Sequence, residues 1–158
     1  MKYFLSLLSF LLILSCATTK TNSKYAKIEY EAGACFGFCP IYKITIDSDR
    51  TAIFEAKRFN FSKDTSSEKD EGNFTGKIDP EKYEELVLIL DSINPKGLKE
   101  YYGNKNVTDL PTSYLSIKYN DGTTKKMEDY GKRGTPELKK LYQFFDELKT
   151  NQNWTKIE

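Results

Sequence analysis

The chain contains no histidine among its 158 residues. Histidine is the commonest general base at neutral pH and the commonest zinc ligand, so its absence removes every Ser/His or Cys/His catalytic pair. No Asp or Glu pair stands at a spacing that marks an acid/base dyad, and no Gly-rich phosphate loop is present. We therefore expect no catalytic residue, no cofactor and no bound metal, and the sequence favours a non-enzymatic role.

Long hydrophobic runs are also lacking. The longest is the 12-residue stretch Tyr3–Leu14, whereas a membrane-spanning helix needs about 20 apolar residues. It follows Lys2 and precedes Ser15-Cys16, an order typical of a secretory signal. A small residue directly before a cysteine resembles the lipobox of bacterial lipoproteins. The alternative is an ordinary signal peptide with an incidental cysteine.

This resemblance predicts a signal peptide over residues 1–15, a lipidated Cys16, and a tether over residues 16–24. Acylation by two or more chains anchors a protein stably to the lipid bilayer. Ala17 directly after the cysteine favours the outer membrane, and no acidic residue follows until Glu29. We therefore expect an outer-membrane protein, lipid-anchored and facing the periplasm.

Neither positive nor negative charge is in large excess. The chain has 24 Lys and Arg against 23 Asp and Glu, interspersed along its length. A nucleic-acid-binding domain usually carries a basic patch or stripe, so no nucleic-acid partner is expected. The expected partners are the bilayer, reached through Cys16, and an envelope protein or ligand of unknown identity.

Hydrophobic periodicity predicts an α+β fold for residues 25–150, followed by a tail over residues 151–158. Asp79-Pro80 and Thr135-Pro136 are helix starts, each with a capping residue before a proline. The sequence predicts an antiparallel sheet of about five to six strands, with two helices on one face, in an arrangement resembling two ββα halves after a leading strand. The predicted strands are Lys27–Ala32, Ile41–Ile46, Thr51–Phe59, Gly72–Ile78, Tyr114–Tyr119 and Thr123–Tyr130.

The most unusual stretch is Gly33–Tyr42, which carries Cys35 and Cys39. With Cys16 lipidated, these two cysteines form an even pair in an oxidising compartment, which favours a structural disulfide closing a turn. Two alternatives remain open: a thiol redox site, although redox pairs usually have two intervening residues, and a Cu(I) site built from two thiolates.

Aromatic residues supply the remaining candidates. Phe36 and Phe38 flank Gly37 and can form an exposed binding tip or fold back onto the core. The same two possibilities hold for Tyr101 and Tyr102 in the long connection over residues 96–112. The full set of candidate binding residues is Phe36, Phe38, Tyr42, Tyr101, Tyr102 and Asp109. An enzyme using Asp109 and Asp129 is a weaker hypothesis, because turn and strand roles explain both residues.

The segment Cys35-Phe-Gly-Phe-Cys39-Pro-Ile-Tyr42 resembles the signature Cys-Phe-Gly-x-Cys-Pro-x-Tyr of a family of lipoproteins and secreted proteins, largely from Bacteroidota. Gly76, Asp109-Leu-Pro111 and Asp121-Gly122 resemble later positions of that family. The resemblance covers about Tyr25 to Lys149 and implies a domain family without an assigned activity.

Taken together, these features predict a membrane-anchored lipoprotein that acts as a non-enzymatic binding or envelope-assembly module. The alternative prediction is a periplasmic thiol redox or Cu(I)-handling protein that uses Cys35 and Cys39.

Overall fold

The computed structural model describes residues 23–61, 71–104 and 106–157, which form an eight-stranded sheet and two α-helices. The strands are β1 (Tyr25–Ala32), β2 (Ile41–Asp47), β3 (Thr51–Arg58), β4 (Gly72–Lys77), β5 (Tyr101–Tyr102), β6 (Thr112–Tyr119), β7 (Thr124–Tyr130) and β8 (Thr155–Ile157). The helices are α1 (Pro80–Ile93) and α2 (Pro136–Asn151). The α+β class is confirmed.

The strand order across the sheet is β5-β7-β6-β1-β2-β3-β4-β8. The predicted sheet had fewer strands and was purely antiparallel, and both points are wrong: β5 and β8 were missed, and β5 pairs with β7 in parallel. These two edge strands contain two and three residues, too few for the alternation by which a strand is recognised in a sequence. The first strand, β1, lies in the middle between the hairpin β6–β7 and the meander β2–β4.

Both helices begin where their capping residues predict. Asp79 accepts a hydrogen bond from the backbone nitrogen of Glu81 at 2.9 Å, and Thr135 accepts one from that of Leu138 at 3.2 Å. Helix α1 ends at Ile93, and the capping residue Asn94 adopts a left-handed conformation with φ of 49° directly before Pro95. Among the described residues, no helix is long and apolar enough to cross a membrane.

One face of the sheet and the inner faces of both helices form a single hydrophobic core. A β-bulge between Tyr25 and Lys27 lets Tyr25 and Ile28 point to the same side although they are three residues apart. The largest fully buried side chains are Tyr25, Tyr30, Tyr42, Tyr83, Phe54, Phe145, Ile28, Ile44, Ile46, Ile78, Leu86 and Leu90. The opposite face carries the alternate, mainly charged residues and faces solvent; it is called the open face below.

Strand β8, which lies within the segment expected as a tail, belongs to the sheet. Strand β8 pairs with β4, and the Trp154 ring packs against Phe54 with centroids 5.1 Å apart. Gly76 permits this packing, because a Cβ there would lie 3.0 Å from the Asn153 carbonyl and 3.1 Å from the Trp154 ring. The end of the chain therefore closes one edge of the sheet.

Candidate functional site

The loop between β1 and β2 is closed by the predicted disulfide. Cys35 and Cys39 are bonded, with their Cα atoms 5.7 Å apart, so the five residues curl into a tight turn. Gly37 lies at the apex with φ of +124°, a conformation that residues with a side chain rarely adopt. Nothing lies within 4 Å of where its Cβ would be, so the apex faces solvent.

Two backbone hydrogen bonds tie this loop to the segment before β6. The Gly33 nitrogen donates to the Thr112 carbonyl at 2.8 Å, and the Phe36 nitrogen donates to the Asp109 carbonyl at 3.2 Å. Asp109 has φ of +65°, which Asp tolerates better than most residues, and this conformation belongs to the turn that meets the loop. The disulfide and these bonds hold the loop in one place.

The loop exposes two large aromatic side chains. Phe36 is 87% exposed and Phe38 is 74% exposed, the highest values among the large hydrophobic residues that the structure describes. Phe38 meets the edge of Phe59 with centroids 5.4 Å apart, and the Arg58 guanidinium lies 4.4 Å from the centre of the Phe59 ring. Phe36, Phe38 and Phe59 are together called the aromatic tip.

Phe59 was not among the candidate residues predicted from the sequence, although it belongs to this surface. The antiparallel pairing of β2 with β3 sets Ile41 opposite Arg58, which places the residue after β3 beside the residues before β2. The hairpin was predicted, but its register was not, and the register brings the two segments together. Beside the tip, the Asn60 side chain donates to the Ile41 carbonyl at 3.1 Å, which attaches the end of β3 to β2.

Tyr42, the last residue of the Cys-containing signature, lies beneath the tip and is fully buried. Its hydroxyl donates a hydrogen bond to Asp146 of α2 at 2.7 Å. Burial raises the pKa of the Tyr42 hydroxyl far above its ordinary value, with Tyr30 and Asp146 adding to the shift, so the hydroxyl stays protonated. The Lys149 ammonium lies 5.2 Å from the centre of the Tyr42 ring, and burial lowers the pKa of that ammonium.

Of the other candidates, Tyr101 and Tyr102 lie apart from the tip at the edge of the sheet, whereas Asp109 is bonded to Phe36 through its carbonyl. Tyr102 packs against the core and its hydroxyl accepts a hydrogen bond from the Lys99 nitrogen at 3.2 Å, while Tyr101 is half-buried opposite Glu128 on β7. Asp129 is fully buried, and Asp109 lies under the loop at the surface. The two carboxylates proposed for an enzyme therefore lie in different environments.

Asp129 holds the chain that enters α2. Its carboxylate accepts hydrogen bonds from the Arg133 nitrogen at 3.0 Å, the Gly134 nitrogen at 2.8 Å and the Tyr142 hydroxyl at 2.7 Å. Burial raises the pKa of Tyr142, with Asp129 adding to the shift, so Tyr142 donates at any physiological pH. This network orders the turn between β7 and α2.

Within residues 23–61, 71–104 and 106–157, no group of three or more Cys, Asp or Glu side chains is placed to hold a metal ion. Cys16 lies outside the described residues, so its lipidation stays a prediction. At this end of the molecule, the described residues form an exposed aromatic surface on a disulfide-closed loop. Such a surface is suited to contact another molecule.

A model of the family described as a domain of unknown function (DUF6438) matches residues 26–149. The match covers well over half of the chain, so the protein belongs to that family. Its limits agree with the extent of the resemblance drawn from the Cys-containing segment. No curated protein matches the chain.

Proposed function

We propose that this member of the DUF6438 family is a lipid-anchored envelope protein of the Bacteroidota type whose domain binds an envelope protein through the aromatic tip. The observation that carries the proposal is the exposure of Phe36 and Phe38 on a loop closed by a disulfide. Burying a Phe side chain contributes roughly 1.5–3 kcal/mol, so two such rings left in water are a strong driving force for association.

Preorganisation supports binding through the tip. An ordering cost of roughly 0.5–1.5 kcal/mol for each immobilised side chain is avoided where the bound geometry already exists. In the free domain the disulfide and the backbone hydrogen bond from Phe36 to Asp109 fix the backbone of the loop, and the contact with Phe59 positions the Phe38 ring. The alternative of redox or Cu(I) chemistry at Cys35 and Cys39 stays a prediction.

The direction of the tip agrees with an anchor at Cys16. The tether enters the domain at Tyr25, at the start of β1, and the disulfide loop follows the other end of the same strand. Eight residues at about 3.3 Å each separate the two ends by roughly 25 Å. A domain anchored before Tyr25 therefore presents the aromatic tip on the side away from its attachment.

The two ends also differ in the polarity of their exposed side chains. The end near Tyr25 carries ion pairs between exposed side chains: Lys24–Asp91 at 2.9 Å, Lys27–Asp47 at 3.5 Å, Lys77–Asp49 at 3.2 Å and Lys96–Asp121 at 3.0 Å. These pairs leave that end hydrated and close to neutral. The contrast favours the aromatic tip as the end that contacts a partner.

The anchor is tested by metabolic labelling with an alkyne fatty acid. The full chain is expected to take up the label and to fractionate with membranes, and Cys16→Ala is expected to lose both. Cys35→Ala is the matched control, because it removes a different cysteine and should keep the label. Equal labelling of the Cys16→Ala and full chains would overturn the lipoprotein assignment.

The tip is tested by cross-linking intact envelopes and isolating the tagged full chain. We expect one reproducible partner with the unaltered protein and at least a tenfold loss of it with Phe36→Ser plus Phe38→Ser. Leu88→Ser is the control, because Leu88 is 63% exposed on α1, away from the tip. Recovery of the same partner by all three proteins would show that the tip is not the contact.

A further inference from the structure

A second surface, independent of the aromatic tip, lies on the open face where β1, β6 and β7 run side by side. A cavity of about 690 Å³ is formed there, within the range of roughly 300–1,000 Å³ typical of small-ligand sites. Both helices pack on the opposite face of the sheet. Neither helix therefore covers the open face.

The strand register arranges the central residues of this cavity in two rows. Tyr114 on β6 lies opposite Glu31 on β1 and Glu128 on β7. One step further along the strands, Ser116 lies opposite Glu29 and Lys126. Neighbouring strands are about 4.8 Å apart, so each row is roughly 10 Å wide, and these six residues are called the open-face array.

Tyr114 is held in place at the centre of the first row. A Cβ built on Gly33 would lie 3.4 Å from the Tyr114 ring and 3.4 Å from the Thr112 carbonyl, so the ring rests against the bare backbone of Gly33. The Tyr114 side chain is still 41% exposed. It therefore presents an ordered aromatic surface to solvent between two carboxylates.

Besides Tyr114, the open-face array has five polar side chains, and three of them have no partner within the part of the chain that the structure describes. Glu29 pairs with Lys43 at 3.5 Å, and Glu31 pairs with Lys57 at 3.7 Å. The side chains of Ser116, Lys126 and Glu128 make no hydrogen bond or ion pair with a described residue. Their donors and acceptors face the cavity and are free to bind a ligand.

These features select a polar, hydroxyl-rich ligand with one flat apolar side. An apolar ligand would desolvate the charged walls without compensation, and a polyanion would meet three glutamates. A pyranose ring fits, because its C–H face packs on an aromatic ring while its hydroxyls both donate to carboxylates and accept from an ammonium. A β-1,4-linked chain with equatorial substituents lies flat, as a sheet face requires.

We propose that the open-face array binds a β-1,4-linked glycan, with one sugar ring stacked on Tyr114 and its hydroxyls bound by Glu128, Ser116 and Lys126. The site does not depend on the aromatic tip. One chain can therefore contact a glycan with its sheet face and a protein with its tip.

The probe is the β-1,4-linked tetramer of N-acetylglucosamine, titrated to about ten millimolar into the isotopically labelled domain without the lipid anchor and followed by amide chemical shifts. We expect saturable shifts confined to β1, β6 and β7, at least tenfold weaker binding by Tyr114→Ala, and affinity within about threefold for Tyr114→Phe, which keeps the ring. The α-1,4-linked tetramer of glucose, whose chain coils, is expected to bind at least tenfold more weakly.

Phe38→Ser is the control that separates the two proposals, because it alters the aromatic tip and should leave the glycan titration unchanged. An unfolding curve for Tyr114→Ala that matches the unaltered domain shows that the variant is folded. No shifts with the β-1,4-linked tetramer, shifts away from the open face, or equal binding by Tyr114→Ala would each overturn the glycan site and leave the tip proposal untouched.

Discussion

The hydroxyl of Tyr42 lies 2.7 Å from Oδ1 of Asp146, and this hydrogen bond joins the strand after the disulfide loop to helix α2. It explains why a tyrosine follows the second cysteine at this spacing. The disulfide between Cys35 and Cys39 closes the loop, and the Tyr42 hydrogen bond connects the residues directly after the loop to helix α2. The disulfide and this hydrogen bond thus both restrain the segment that carries the aromatic tip.

Replacing Tyr42 by Phe should destabilise the domain by about 1.5 kcal/mol, the lower end for a hydrogen bond to a charged group, because Asp146 is half-exposed and can regain water. Urea unfolding monitored by circular dichroism measures the change. Tyr114→Phe is the control, since the exposed Tyr114 hydroxyl makes no hydrogen bond with a described residue. Equal stability of Tyr42→Phe and the unaltered domain would contradict the anchoring role.

Asp129 should be the most sensitive carboxylate in the domain. Asp129→Asn replaces one acceptor oxygen by an NH₂ group, which must then face donors of Arg133, Gly134 or Tyr142. Because the site is fully buried, we expect a loss of roughly 3 kcal/mol or more in the free energy of unfolding. Asp109→Asn, at the surface, should change stability by less than about 0.5 kcal/mol.

The disulfide is expected to be structural. Replacing Cys35 and Cys39 together by Ser should lower stability by about 2 kcal/mol, the chain-entropy contribution for so short a ring, and should weaken binding through the aromatic tip. The reduction potential of the bond should lie below about −300 mV, as is typical of structural disulfides in secreted proteins. A potential well above that value, or tight Cu(I) uptake by the reduced protein, would favour the redox or copper alternative.

Two turn carboxylates should retain their charge far into acid. Hydrogen bonds from Thr51 lower the pKa of Asp49 to about 2, and hydrogen bonds from Thr123 do the same for Asp121. Because both pKa values fall below that of the unfolded chain, their stabilisation is complete above pH 4 and is lost as the pH falls toward 2. Carboxyl-carbon NMR titration should show both midpoints near 2, and Asp49→Asn plus Asp121→Asn should flatten the dependence of stability on pH in that range. Midpoints near 3.8 would contradict these contacts.

The sequence predicted those parts of the fold that depend on interactions between residues close together in the chain. Asp79 and Thr135 cap helices because a side-chain oxygen before a proline satisfies the first backbone donors, which a sequence shows directly. Strand β5 was not predicted, because its pairing with β7 depends on the path of the long connection over residues 96–112. The placement of Phe59 beside Phe38 depends in turn on the β2–β3 register.

Three residues that were singled out in the sequence after the Cys-containing segment have physical roles that the sequence alone did not supply. Gly76 makes room for the segment before β8, and Gly122 turns the β6–β7 hairpin with φ of +84°. Asp109 provides the carbonyl that binds the loop at Phe36. Each role depends on a residue distant in the chain or on a backbone angle, so the sequence alone could not supply it.

Binding through the aromatic tip is tested by placing a photo-reactive phenylalanine analogue at position 36 of the full chain in living cells of the source organism. We expect one discrete cross-linked envelope protein, lost when Phe38→Ser is added and absent when the analogue replaces the exposed Leu88 on α1. No cross-link from position 36 beyond that seen from position 88, or one that persists undiminished with Phe38→Ser, would contradict the claim that the aromatic tip binds a partner.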